Sequence, residues 1–191
     1  CSPLKTSLLM IFEVKHKASI IIGNYQFADS FNQEVIEQLK YAEDIGHTNV
    51  KASKHTVFNW LPENKKFNNF KSFILSETEK YFAPSVNHAG ERIISPDGER
   101  IKLKCPNLWA NVYLKGDHAV KHDHKPNAFS FAYFVKSKWY DAPLIFGDSG
   151  RRMRPKEGRF VAFPAYLIHH VPKHRYNDTR ITLSGNLDLE E

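Results

Sequence analysis

The chain has almost no cysteine. Among its 191 residues only Cys1 and Cys105 carry thiols, one of them at the very start. That argues against a disulfide framework and against a cysteine zinc site, and it fits a reducing compartment. Long hydrophobic runs are missing too. The longest early one, SLLMIF at residues 7–12, is too short to span a bilayer and lacks the small-residue cleavage site of a secretory signal. No repeat, low-complexity tract or long linker interrupts the chain. A soluble, cytoplasmic protein is expected (in the host cytosol, for a viral chain), without a membrane partner. Met10 is a candidate natural start, with the nine residues before it an upstream remnant.

What is present is a hydrophobic fraction of 41%, enough for one sizeable core, so a single domain over residues 1–191 is expected. Fourteen Phe and eight Tyr suit a β-rich interior better than a helical bundle. The formal charge of +6 is compatible with an acidic partner or nucleic acid without singling out either. ASIIIGNYQF (18–27) reads as a strand and a turn. Ser30 is the expected N-cap of a first helix, with Gln33 completing a capping box. Phe31, Val35, Ile36, Leu39 and Ala42 recur at helical spacing, and Gly46 supplies the stop. A second helix is expected over about 62–82, with Phe67, Phe70, Ile74 and Tyr81 on one face and Pro84 ending it.

After Pro84 the pattern changes. RIISPDGERIKLK reads as two short strands around a Pro-Asp-Gly turn, and NLWANVYL, AFSFAYFV, PLIFG, RFVAFP, LIHHVP and RITLSGNL follow, each brief and bounded by turn residues. Such a series predicts an α+β, mainly β domain. Residues 18–84 form the N-terminal strand and helical support, and 92–187 the β-sandwich core of jelly-roll type.

Within that β half, KHDHKP places His122 and His124 two apart, so on one strand they share a face while Asp123 points away. Imidazole is the commonest protein ligand for first-row metals. If Leu167, His169 and Val171 face the core, His169 is the third inward ring and His170 points out. The plain alternative is a basic segment with exposed histidines. His118, His170 and His174 read as peripheral.

Three further features bear on the choice: Asn111-Val-Tyr113 with Gly116, five residues then separating Gly116 from His122, Gly158 and Phe163-Pro164 leading into His169 and Val171, and Arg180 with Thr182 on the last strand. Together, in this order, they resemble the non-haem iron(II), 2-oxoglutarate-dependent dioxygenases, and more narrowly the prolyl-hydroxylase-like branch of bacteria and phages. The resemblance is strong over about 109–187. It implies a double-stranded β-helix (jelly roll, cupin-like) that binds Fe(II), 2-oxoglutarate and O2, with ascorbate as an auxiliary reductant. It also implies hydroxylation of a peptidyl or free amino-acid substrate, proline being the first guess, with conversion of 2-oxoglutarate to succinate.

Position by position, His122 and His169 match the family's iron-binding histidines, while His124 falls where most members have Asp or Glu. His124 is expected as the third ligand, and Asp123 as the fallback if a bulge turns it inward. Arg180 matches the arginine that takes the distal carboxylate of 2-oxoglutarate, a planar fork on a planar anion. Thr182, Tyr113 and Asn111 are expected to complete that pocket; Phe129, Phe131 and Tyr133 alternate in period two and are expected in the core, with a cosubstrate contact the alternative for Tyr133. No catalytic residue is expected beyond the metal ligands. Trp139, Tyr140 and Arg151 are weaker candidates for the substrate mouth, Arg151 lying in the basic loop SGRRMRPKEG.

Three rivals stay open. AlkB-type nucleic-acid dealkylation shares the Asn-x-Tyr and His spacing, but its second arginine, six residues after the first, is here Asn186. A non-catalytic, metal-binding jelly roll is motivated by His124. A structural zinc site is disfavoured because neither cysteine is near the histidines in sequence.

Overall fold

A computed structural model describes residues 18–60, 62–82, 85–86, 92–93, 102–147 and 149–190. In chain order the elements are β1 (Ile21–Asn24), α1 (Ala28–Gln38), β2 (Val50–Lys51), β3 (Lys54–His55), α2 (Lys65–Phe82), β4 (Ser85–Val86), β5 (Arg92–Ile93), β6 (Leu103–Tyr113), β7 (His118–His122), β8 (Phe129–Lys136), β9 (Leu144–Phe146), β10 (Arg152–Met153), β11 (Arg159–Pro164), β12 (His169–Val171) and β13 (Arg180–Leu189). The order β1-β11-β8-β13-β6-β3 makes one antiparallel sheet, and β10-β9-β12-β7-β2 makes the second. β4 pairs only with β5 among the described residues. The jelly-roll architecture expected from the strand pattern is therefore observed.

Period two along the strands sorts side chains onto two layers. Leu108, Ala110, Phe131, Tyr133, Phe160, Ala162, Ile181 and Leu183 lie in the core beneath the two helices. Their neighbours Tyr113, Phe134, Val161 and Phe163 lie in the core between the sheets. The helical layer is aromatic: Phe31 stacks on Phe70 with centroids 4.3 Å apart, and Tyr25 and Tyr133 meet the same pair. Each of these rings, once fully buried, contributes roughly 2–3 kcal/mol over an exposed position.

The helix ends differ from expectation in instructive ways. α1 begins at Ala28, with Phe27 in the N-cap position and no side-chain cap. Ser30 lies inside the first turn and donates its hydroxyl to the Phe27 carbonyl (3.3 Å), so the capping box does not form. The helix stops at Gln38, before Gly46, which sits in a later loop at φ 76°. For α2 the start signal was Asn64 rather than Pro62: its Oδ1 accepts the N–H groups of Lys66 (3.0 Å) and Phe67 (3.1 Å). Phe67, Phe70 and Ile74 are buried as predicted, whereas the Tyr81 side chain and Pro84 lie outside the described residues. So does the Pro-Asp-Gly turn of 96–98, and the described strand just before it, β5, pairs back onto β4. No described helix is long and apolar enough to cross a membrane.

Candidate metal and cosubstrate site

The central pair β6–β13 supplies one wall. Arg180 is registered opposite Tyr113, Thr182 opposite Asn111 and Ser184 opposite Trp109, and directly opposed residues share a face. All six line the cavity between the sheets. The alternate residues Ile181 and Leu183 go to the helix side. Strand parity alone thus gathers the polar set.

The facing sheet supplies the histidines. His122 is the last residue of β7 and is paired with His169, the first of β12. Two residues of β7, Val120 and Lys121, lie between Ala119 and His122, against one of β12, His170, between His169 and Val171. This bulge lets Ala119 and His122 both face inward. His124 lies just past the strand end, so it does not reach the site by simple two-residue alternation. Its backbone N–H donates to the Ala165 carbonyl (2.8 Å), and its ring lies flat against Trp109, 5.9 Å between centroids.

The three rings converge. Ligand-capable nitrogens of His122, His124 and His169 all lie within 4.8 Å of one another, with Nε2 of His124 3.2 Å from Nε2 of His169. Nδ1 of His122 meets the Val120 carbonyl at 2.7 Å, and Nδ1 of His169 meets the Leu167 carbonyl at 2.8 Å. A carbonyl oxygen can only accept, so these Nδ1 atoms carry the protons and leave the Nε2 lone pairs free. Burial, then the neighbouring His122, holds His169 down at about 3 and His124 at about 4. Both rings are neutral at neutral pH, the form that ligates a metal. The donor set is chemically sufficient for a first-row divalent ion with open positions.

Asp123, the expected fallback, is not in the cluster. Its carboxylate pairs with Lys125 at 3.2 Å, and that contact lowers its pKa. A bulge exists, but it falls upstream at Val120–Lys121 and leaves Asp123 facing outward.

Arg180 is 2% exposed. Its guanidinium lies 4.6 Å over the Tyr113 ring and 5.6 Å from that of Phe134. Nε and Nη1 have no hydrogen-bond partner among the described residues. Burial lowers its pKa, while Tyr113 and Asp141 pull the other way. Asp141, however, accepts the Lys138 N–H (2.8 Å) and faces His174 Nδ1 at 4.0 Å. Nearby, Asn111 Oδ1 is also buried without a partner. A buried cation with unpaired donors costs several kcal/mol unless an anion meets it.

Other candidates fall elsewhere. Tyr133 is on the helix side and donates its hydroxyl to Asn32 Oδ1 (2.8 Å), because it differs in parity from Ala132 and Phe134. Trp139 is 74% exposed. Tyr140 packs on Tyr176 and donates its hydroxyl to Asp178. Neither these two nor Arg151 lines the cavity. His174, read as peripheral, is buried, with Nε2 2.7 Å from the Asp178 carbonyl. Trp109 was overlooked in the sequence. The signal was available: it lies two residues before Asn111 and so on the same face.

No family model and no curated protein sequence matches the chain. Solved structures do. The viral collagen prolyl hydroxylase of Paramecium bursaria Chlorella virus-1, as its 2OG complex, superposes with a TM-score of 0.60 at 12% identity, over 88% of this chain and 94% of that one. A Pseudomonas putida prolyl-4-hydroxylase gives 0.62 at 10% identity, over 91% and 94%. HygX from Streptomyces hygroscopicus, with nickel and 2-oxoglutarate bound, gives 0.60 at 8% identity, over 90% and 83%. With two antiparallel sheets closing on a three-histidine cluster, the chain has the double-stranded β-helix fold of the 2OG-Fe(II) oxygenases.

Proposed function

We propose that the protein is an iron(II)- and 2-oxoglutarate-dependent oxygenase. The observation that carries this reading is the buried guanidinium of Arg180, its Nε and Nη1 without a partner among the described residues, in the same cavity as three converging imidazoles. A metal site alone would not explain such an arginine. A dicarboxylate with one end at the metal and the other at Arg180 accounts for both.

His122, His124 and His169 would hold the metal through Nε2. Arg180 would take the distal carboxylate as a fork, Thr182 would add a hydroxyl donor, and Tyr113 and Asn111 would shape the space between. Bound iron would supply oxygen activation, with oxidation of 2-oxoglutarate to succinate and carbon dioxide and hydroxylation of a substrate C–H bond. The protein's part is to fix the ligands, exclude water and orient the cosubstrate. The Val120 and Leu167 carbonyls hold two rings in the competent tautomer. Trp109 and Phe163 pack against His124 and His169 and close off solvent.

The substrate class proposed is a peptidyl or free amino acid, proline first, by likeness to the prolyl-hydroxylase folds. Nucleic-acid dealkylation ranks below it. Asn186 offers no second guanidinium, and its amide is engaged with Ser130 (2.7 Å) and Asn107 (3.0 Å). Anaerobic Fe(II) and 2-oxoglutarate binding, followed by succinate release on admitting oxygen with ascorbate, tests the proposal. Iron binding without 2-oxoglutarate binding or succinate would leave a metal-binding jelly roll instead.

A further inference from the structure

Arg180 is the fixed cation of the cavity, and no acid in the described lining faces it. His122, His124, His169 and Arg180 line it beside Asn111 and Thr182, with no Asp or Glu in the described lining. Asp123 is turned out to Lys125. Asp141 acts on Arg180 from outside the lining, but its oxygens are directed to the Lys138 N–H and toward His174.

The consequence is a matter of formal charge. With a carboxylate at position 124, a divalent ion, that carboxylate, Arg180 and a doubly ionised 2-oxoglutarate would balance. With the neutral imidazole of His124 the same assembly is one charge more positive, whatever the state of Asp141, because only position 124 differs. In a cavity walled by Phe163, Val171 and Leu144, that added positive charge makes an entering monoanion correspondingly more favoured than it would be with a carboxylate at position 124. The approach is also suited to an anion, since Lys121 is exposed beside His122.

We propose that the cavity admits one further monoanion beside 2-oxoglutarate, and that the substrate supplies it as a carboxylate close to the reacting bond. This rests on the oxygenase reading and narrows it: a free amino acid or other small carboxylic acid fits, and the uncharged interior of a peptide does not.

The test uses the full chain loaded with Co(II) and 2-oxoglutarate, its visible absorption bands followed during titration with azide, in wild type and in His124→Asp. Azide should shift the bands of the wild type and bind at least about tenfold more weakly to His124→Asp, which carries its own negative charge. Acetate or N-acetylproline should then displace azide from the wild type, while the neutral N-acetylprolinamide should not. Equal azide affinity in the two proteins, or no shift in the wild type, overturns the proposal. Displacement by chloride but not by any carboxylate overturns its substrate half, leaving an inorganic-anion site. Should His124→Asp not fold, the wild-type titration decides alone. Failure of the wild type to bind Co(II) or 2-oxoglutarate at all would instead sink the oxygenase reading beneath it.

Discussion

Replacing Arg180 by Met separates binding from stability in a way few substitutions do. The guanidinium is buried, with Nε and Nη1 unpaired among the described residues. In the ligand-free protein the charge contributes its contact over the Tyr113 ring at 4.6 Å, worth about 0.5–2 kcal/mol. Against that stands the cost of holding a cation with two unpaired nitrogens away from water, several kcal/mol even after relaxation. Methionine keeps an apolar stem of similar length, so packing against Phe134 largely survives. Arg180→Met should therefore leave the apo protein as stable as wild type, or raise its stability by about 1–3 kcal/mol. Its affinity for 2-oxoglutarate should fall steeply. Two charge-assisted hydrogen bonds at roughly 1.5–3 kcal/mol each correspond to at least a hundredfold loss. Pyruvate, which has no distal carboxylate, should bind both proteins alike. Urea unfolding of the apo form and calorimetric titration with Mn(II) present measure the two quantities. A variant destabilised by more than about 3 kcal/mol with unchanged 2-oxoglutarate affinity would mean that the arginine is structural, and the cosubstrate assignment would be refuted.

Other substitutions and conditions give equally definite expectations. His169→Ala should abolish Co(II) binding while circular dichroism shows the sandwich intact, since β12 is held by its backbone pairing to β7 and β9. Because burial holds His169 near 3 and His124 near 4, below the ordinary 6.5, the unfolded chain binds more protons than the folded one between about pH 4 and 6.5. Metal-free stability should thus fall as pH drops through that window, by up to about 1.4 kcal/mol per unit for each ring, and urea midpoints would show it. Added metal should protect above that window and lose its effect within it. Phe70→Ala, in the helix-side layer, should cost about 3–5 kcal/mol in urea unfolding without changing metal affinity. Gly185→Ala should destabilise β13 by about 1–3 kcal/mol, because a Cβ there would sit 2.6 Å from the Asn107 carbonyl and 2.6 Å from the Phe131 ring.

The strands were readable because their signal is local: alternation within β6, β8, β11 and β13 separates the helix-side from the inter-sheet residues without knowledge of their partners. The same parity marks Arg180, Thr182, Asn111 and Tyr113 as one set, and they do meet. What local pattern could not carry was geometry set by neighbours. β7 ends at His122, so the simple alternation assumed for His122 and His124 does not carry His124 to the site, although both rings converge. Phe131 and Tyr133 were expected in the core by their period and lie there beneath the helices, while the cosubstrate contact also considered for Tyr133 does not form. Ser30 looked like a cap, but α1 starts earlier at Ala28, and Asn64, unremarked, caps α2. Trp139 and Tyr140 follow β8 in sequence, but Tyr140 is turned to Tyr176 and Asp178 and Trp139 is left exposed, neither in the cavity lining.

Diffraction data collected at the iron absorption edge from crystals soaked anaerobically with Fe(II) address the central claim most directly. A single anomalous peak bonded to Nε2 of His122, His124 and His169, with Asp123 still directed at Lys125, is the expected result. A peak that lacks His124, recruits Asp123, or is absent from the cavity would contradict the three-histidine centre.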